Sequence, residues 1–447
     1  MIGAAQRPAR MQGSTSRNTV SKGTPSIALS LFSKRYRMSN LHGFRPVKAL
    51  CWTGLGLIAA GLAACGGGGG GDSSPQQGTL KLAMTDAPAC GYDHVYVTVT
   101  KIRVHQSATA ATTDSGWSEL TIPAQRIDLL GLTNGVLQEL GSLPLPAGNY
   151  QQVRLVLADN PSNPTSANPL ANALVLSGST NEIALTTPSG QQSGFKLKAN
   201  FNVTGGQVAD MVLDFDACKS IVKAGNSGNY NLKPVVAVIK RLTTAIVGYV
   251  DPALASSVVV STRDPDNNLR ATVPNATTGK FVLAYLPENT NYTVVVAGQN
   301  LTTAAVTGIP VSIAAGTTTL NASTAPIALP ASASATVAGK VTNTSNTPLT
   351  DADVNAQQVL GTGQRLDVAW TLVDPANASY SLNLPLLAPN KAPYVASGPL
   401  AFTADTAAAG KYNILGSAAG YTTQTTAPAV TLTTANSVTT KDLVLAP

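Results

Sequence analysis

The stretch His94-Val95-Tyr96-Val97-Thr98-Val99-Thr100-Lys101-Ile102-Arg103-Val104-His105 decides the fold class. Side chains along a strand alternate between two faces, and Val95, Val97 and Val99 share one parity. Ile102 and Val104 take the other. A strand that keeps its apolar residues in one core changes parity only through an extra residue or a move between sheets. The slip near Thr100 therefore predicts a β-bulge or a crossing between sheets.

Outward from this stretch, strands are expected at Tyr150 to Leu157, Phe195 to Val203, Val208 to Asp216 and Leu232 to Lys240. Ile127 to Leu140 reads as either a short helix or a hairpin around Asn134-Gly135, a turn pair. From Gly78 onward Thr, Val and Ala dominate, Gly, Pro and Asn punctuate, and no long window repeats apolar residues at helical spacing. The expected class is all-β, built of tandem β-sandwich domains, the first over residues 78–241.

The texture changes after Arg241. Residues 245–330 string together Ile246 to Val250, Val258 to Ser261, Gly279-Lys280-Phe281-Val282-Leu283, Leu286-Pro287, Tyr292 to Val296 and Ile327-Ala328-Leu329. Residues 335–447 return to a similar order: Val337 to Val341, Ala352 to Ala356, Tyr380 to Pro385, Ala418-Ala419-Gly420-Tyr421 and Leu443-Val444-Leu445. This is read as an internal repeat whose second copy carries insertions around Gly361 to Trp370 and Pro389 to Gly410. Short strands separated by turns suit two-sheet sandwiches.

In the first domain, Leu82-Ala83-Met84-Thr85-Asp86-Ala87-Pro88, Ile127-Asp128-Leu129-Leu130, Leu145-Pro146-Ala147-Gly148-Asn149-Tyr150 and Tyr230-Asn231-Leu232-Lys233-Pro234 resemble a bacterial lipoprotein family, domain of unknown function 4382. The resemblance implies no activity. The two later copies, each with a Gly before a strand and a Leu-Pro turn before a Tyr-led strand, resemble carboxypeptidase regulatory-like and transthyretin-like β-sandwiches.

The N-terminus reads as an export signal. Arg45 and Lys48 precede an apolar run from Ala49 to Ala64 that ends in Leu62-Ala63-Ala64-Cys65. A run of about 16 residues is short for a hydrocarbon core of roughly 30 Å. Leu-Ala-Ala-Cys resembles the lipobox of bacterial lipoproteins, which implies that residues 1–64 are removed and Cys65 is lipidated. Multiple acyl chains hold a protein where one does not, each buried methylene contributing about 0.8 kcal/mol. The start is Met1 or Met38. Residues 65–77, with Gly66 to Gly71, form the tether. Gly66 in place of Asp after the cysteine implies an outer-membrane destination, on its periplasmic or surface face.

The net charge of +7 misleads, because residues 1–64 hold nine of the 29 Lys and Arg and no Asp or Glu. The remainder carries 20 basic against 22 acidic residues, a net of −2. A near-neutral chain lacks the footprint that nucleic-acid binding needs. With Cys51 in the signal and Cys65 lipidated, Cys90 and Cys218 remain as one pair in an oxidising compartment, read as a disulfide. Closing so long a loop stabilises by roughly 4 to 5 kcal/mol in the chain-entropy model.

Catalytic chemistry finds little purchase. His94 and His105, at the ends of one strand, stand roughly 35 Å apart at about 3.3 Å per residue and read as ordinary strand-end histidines. Asp214 and Asp216 share one face of a strand and read as solvated. Asp264, Asp266 and Asn268 begin like a calcium loop, but Leu269 and Asn275 stand where glycine and glutamate are required, so the segment reads as a turn. Asp114-Ser115-Gly116 has no second copy and reads as a loop. No cofactor, metal or catalytic residue is expected. Among the aromatic side chains that could stack on a ligand, Trp370 and Trp117 are the candidate contacts. The expected function is a membrane-anchored, non-catalytic binding or structural module of the cell envelope, with glycan or an envelope protein as partner. The alternative is an accessory subunit of an envelope hydrolase or transport system.

Overall fold

A computed structural model describes residues 76–86, 91–187, 193–224 and 227–447. Cys65, the leader and Cys90 lie outside these residues. The fold is all-β, in tandem sandwiches, each with its own apolar core.

In the first module a four-stranded sheet runs Val236–Lys240, Val208–Phe215, Gln77–Asp86, Gln138–Pro146, with Gln77–Asp86 and Val208–Phe215 parallel. It faces an eight-stranded sheet centred on Tyr92–His105. That long strand pairs Ser118–Asp128 along one edge, and Ala173–Leu176 then Gly148–Leu157 along the other. Its register slips between Val99 and Lys101 on both edges. The bulge at Thr100 is the physical resolution of the parity change: Val95, Val97, Val99, Ile102 and Val104 are all fully buried. Each such side chain contributes about 1.5 to 3 kcal/mol relative to exposure. The expected strand Leu232 to Lys240 is broken at Lys233–Val235, where Pro234 can donate no ladder hydrogen bond. Residues 127–140 take the helical alternative, a short 3-10 helix, Leu129–Leu132, capped by Asp128; Asn134 and Gly135 then turn with φ of 59° and 77°, but no hairpin forms, because Ser118–Asp128 and Gln138–Pro146 belong to different sheets.

The middle module pairs a small sheet, Lys280–Ala284, Ala245–Tyr249, Thr317–Thr319, with a larger one beginning Leu269–Thr272, Val258–Arg263, Asn289–Gly298, Ala304–Val311. In the last module, Ser379–Pro385, Ser334–Asn343 and Val438–Thr440 follow the order of the small sheet, and Arg365–Leu372, Asp353–Val359, Lys411–Ser417 and Gln424–Thr425 that of the larger. Tyr292 Oη donates to Pro287 O at 2.8 Å and Tyr412 Oη to Pro385 O at 2.5 Å, so the same corner follows each Leu-Pro pair. Tyr412 thus leads the strand after Leu384-Pro385; residues 418–421 form a turn. Residues 361–370 complete an ordinary hairpin with Asp353–Val359.

Residues 386–410 intervene between that Leu-Pro pair and Tyr412, and they reach back to the middle module. Asn390–Pro393 pairs in parallel with Ala304–Val311, and Thr403–Ala404 pairs with Asn390–Pro393 in turn. Tyr394, Leu400 and Phe402 pack on the middle core. A sheet of the middle module therefore takes its last strands from the sequence of the following one.

The modules are also joined side chain to side chain. Asn134 donates to Val273 O at 3.0 Å and accepts from Val282 N at 2.9 Å, and Tyr285 Oη donates to Gly135 O at 2.6 Å. Arg270 Nη1 meets Asp214 Oδ2 at 2.7 Å across the same seam. A small apolar cluster, Val295, Ala297, Ala305, Leu360 and Leu366, joins the middle and last modules. Among the described residues no helix is long and apolar enough to cross a membrane.

Candidate functional site

Where the modules converge they enclose a cleft of about 770 Å³. Phe195, Lys196 and Leu232 to Val235 form the wall from the first module, Arg263 and Asn267 that from the middle one, and Asp353, Asn355 and Trp370 the floor from the last. No one module could build it. The floor arises because Asp353–Val359 and Arg365–Leu372 are antiparallel neighbours that set Asn355 opposite Trp370.

Trp370 is half-buried at an edge strand. Its indole N–H donates to Asp353 Oδ2 at 3.2 Å, and Ser417 Oγ donates to Asp353 Oδ1 at 2.6 Å. Lys219 Nζ lies 5.3 Å from the ring centroid, within cation–π range. Lys219 also meets Asp216 Oδ2 at 3.1 Å, and Asp216 caps the short helix Ala217–Ser220 by accepting from Lys219 N at 3.0 Å. The helix that carries Cys218 thus sets the cation that covers Trp370.

A second node stands beside it. Asp367 Oδ2 accepts from Arg263 Nε at 2.8 Å and its Oδ1 from Arg263 Nη2 at 2.7 Å, a bidentate pair. Asn355 Nδ2 and Gln357 Nε2 donate to the same Oδ1 at 2.6 and 2.8 Å. Burial opposes ionisation of this carboxyl, but the donated hydrogen bonds and the Arg263 charge outweigh it and hold its pKa below the usual carboxylate range. Lys233 forms an ion pair with Asp351, joining first and last modules.

Asp214 and Asp216 do not form a solvated face. Asp214 lies under the middle module against Arg270, and burial raises its pKa despite that arginine's opposing charge. Asp86 is buried beside them: desolvation and the neighbouring Asp216 and Asp214 push its pKa well above the ordinary value, against a hydrogen bond from Ala217 N at 3.1 Å. The alternation in the sequence marked a polar face correctly, but a second module covers it.

Trp117 stands away from the cleft. Its ring contacts His105 at 5.0 Å, Arg103 at 4.6 Å and Arg154 at 5.2 Å, and its N–H donates to Ala111 O at 2.8 Å, so it secures its own loop. His94 Nδ1 pairs with Asp128 Oδ2 at 2.7 Å and His105 Nε2 with Ser115 O at 3.0 Å. Asp264 accepts from Asn268 N at 2.9 Å, closing a turn. Among the described residues no cluster of His, Cys, Asp and Glu could hold a metal ion. Cys218 lies on the short helix; its expected partner Cys90 is outside the described residues.

Trp370, a candidate contact in the sequence, lines the cleft, whose other lining residues the sequence did not single out. One signal was present: Asp353, Asn355 and Gln357 alternate with Val354 and Ala356 along one strand. Arg263 and Asp367, 104 residues apart, carried none.

Residues 77–234 match the model of a protein family described as a domain of unknown function, DUF4382. Among curated proteins none matches the chain. Among solved structures, the chain is similar to the TIE protein of Bacillus anthracis, at 11% identity and a TM-score of 0.17, covering 83% of this chain and 51% of that one. It thus spans about half the length of that protein. It is also similar to BcpA, the major pilin subunit of Bacillus cereus, at 10% identity and a TM-score of 0.17, covering 83% and 99%. A third likeness is the pilus adhesin SpaC from Lactobacillus rhamnosus GG, at 9% identity and a TM-score of 0.14, covering 83% and 44%.

Proposed function

We propose that this chain is a non-catalytic binding protein of the cell envelope, held to the outer membrane by lipid on Cys65, whose receptor surface is the cleft between its three modules. The observation that carries this reading is the cleft itself: about 770 Å³, within the range of ligand sites, with one aromatic platform and convergent polar groups. The export signal and the Gly-rich tether support the compartment. The disulfide-bonded state of Cys218 supports pairing with Cys90 in that oxidising environment. The shared strand order of the middle and last modules supports their descent as a tandem pair. A module that lends an arm to its neighbour suits a receptor whose middle and last modules keep one arrangement.

The test is a glycan array probed with the purified full chain. Binding that Trp370→Ala removes and Trp117→Phe leaves intact is expected, with circular dichroism confirming that both variants fold. Glycan binding indifferent to Trp370 overturns the assignment of the cleft.

A further inference from the structure

Five cationic side chains line the cleft, and three are neutralised within the protein: Lys219 by Asp216, Lys233 by Asp351 and Arg263 by Asp367. Lys196 and Arg365 are different. Both are exposed, they stand on walls from the first and last modules, and neither joins an ion pair among the described residues. The remaining acid of the lining, Asp353, is already engaged by the donors of Trp370 and Ser417. Those neutral donors leave the charge of Asp353 in place, so the five cations stand against Asp216, Asp351, Asp367 and Asp353 and the cleft keeps one net positive charge, although residues 65–447 carry a net charge of −2. Low-dielectric walls focus such a field and raise the local concentration of anions.

The rest of the lining selects among anions. Amide side chains, Asn267, Asn355 and Gln357, line the cleft together with Trp370, a mixture suited to hydroxyl groups and the apolar face of a sugar ring. Asn355 is 93% buried by its 7% exposure, and its Oδ1 is an acceptor for which the described residues supply no donor. That oxygen lies beneath the cleft surface, so contact with a ligand falls to the exposed groups of the lining.

We propose that the cleft takes an acidic oligosaccharide, its carboxylates set on Lys196 and Arg365 and its rings lying over the amide-lined floor beside Trp370. This rests on the cleft being the binding site and adds the ligand class. No covalent step is involved.

The experiment uses the full chain with Trp52 and Trp117 changed to Phe, so that Trp370 is the sole tryptophan reporter. Tetragalacturonic acid, its fully methyl-esterified form, maltotetraose and an octaglutamate peptide are titrated separately. The acid should shift Trp370 fluorescence and bind at least tenfold more tightly than the ester, which has the same sugar rings and no carboxylate charge. Lys196→Ala with Arg365→Ala should weaken the acid at least tenfold and leave the melting temperature and the ester unchanged. Equal affinity for acid and ester, or an affinity for the acid that the double variant does not change, overturns the proposal. If maltotetraose still binds at Trp370 in that case, the cleft stands as a site with a neutral ligand. Tighter binding of octaglutamate than of the acid overturns the saccharide class. No response to any of the four overturns the ligand class, while the glycan array judges the cleft independently.

Discussion

Replacing Asp367 by leucine and Arg263 by methionine, singly and together, measures how firmly the last module is fixed to the middle one. Asp367 receives hydrogen bonds from two guanidinium nitrogens of Arg263 and from Asn355 and Gln357, with its side chain 9% exposed. Removing one partner of a buried ion pair costs about 3 to 5 kcal/mol because the other charge is stranded. Arg263 is 27% exposed and keeps Asn267 O at 2.8 Å, which places Asp367→Leu near the lower end of that range, about 3 kcal/mol. Replacing both partners removes the stranded charge, so the double variant should cost less than the singles combined, with a coupling of about 2 kcal/mol. Asp367→Asn is no relief, since its new N–H would face donors. Urea unfolding followed by Trp370 fluorescence, in the chain with Trp52 and Trp117 changed to Phe, reads the strand on which Asp367 sits. Because the pKa of Asp367 is depressed in the folded state, its stabilisation is complete above the unfolded value of about 3.9 and fades as pH falls below it. Single-variant costs that add to within about 0.5 kcal/mol would refute the reasoning.

Three further outcomes are expected. Asp86→Asn should stabilise the chain at neutral pH, because a buried carboxyl with a raised pKa loses stability as pH rises from its unfolded value through its folded one; a melt at pH 7 that falls contradicts this. Phe402→Ala should cost about 1 to 2 kcal/mol, for a partly buried ring, and lower hydrogen-exchange protection in Ala304–Val311 before the last module loosens. Intact mass spectrometry of the native product should find a chain that begins at Cys65 and carries acyl mass; a product retaining upstream residues without it removes the anchor from the account.

What was legible in the sequence was whatever a single strand or turn encodes. The parity change at Thr100 gave the bulge, Phe195–Val203 has the expected bounds, and Asn134-Gly135 turns with positive φ. What was hidden depends on partners remote in sequence. Asp214 and Asp216 alternate with apolar residues as a solvated face would, and only the arrival of Arg270 reveals that the face is covered. Asn390–Pro393 is four residues ending in proline and has no period to betray it, yet it pairs in parallel with Ala304–Val311. Residues 386–410 hide the match between Tyr292 and Tyr412, which stand 5 and 27 residues after their prolines. Trp370 was legible as an aromatic in a candidate segment, whereas its cleft needs walls from modules that the sequence presents one after another.

The account depends on three modules locked around a preformed cleft. Spin labels at Lys196→Cys and Thr423→Cys, in a chain with Cys51 and Cys65 changed to serine, report the distance between residues that line its first and last walls. Pulsed electron resonance should give one narrow distribution, widened by Asp367→Leu. A broad or multiple distribution in the otherwise unaltered chain would mean that the walls do not face each other in a fixed relation.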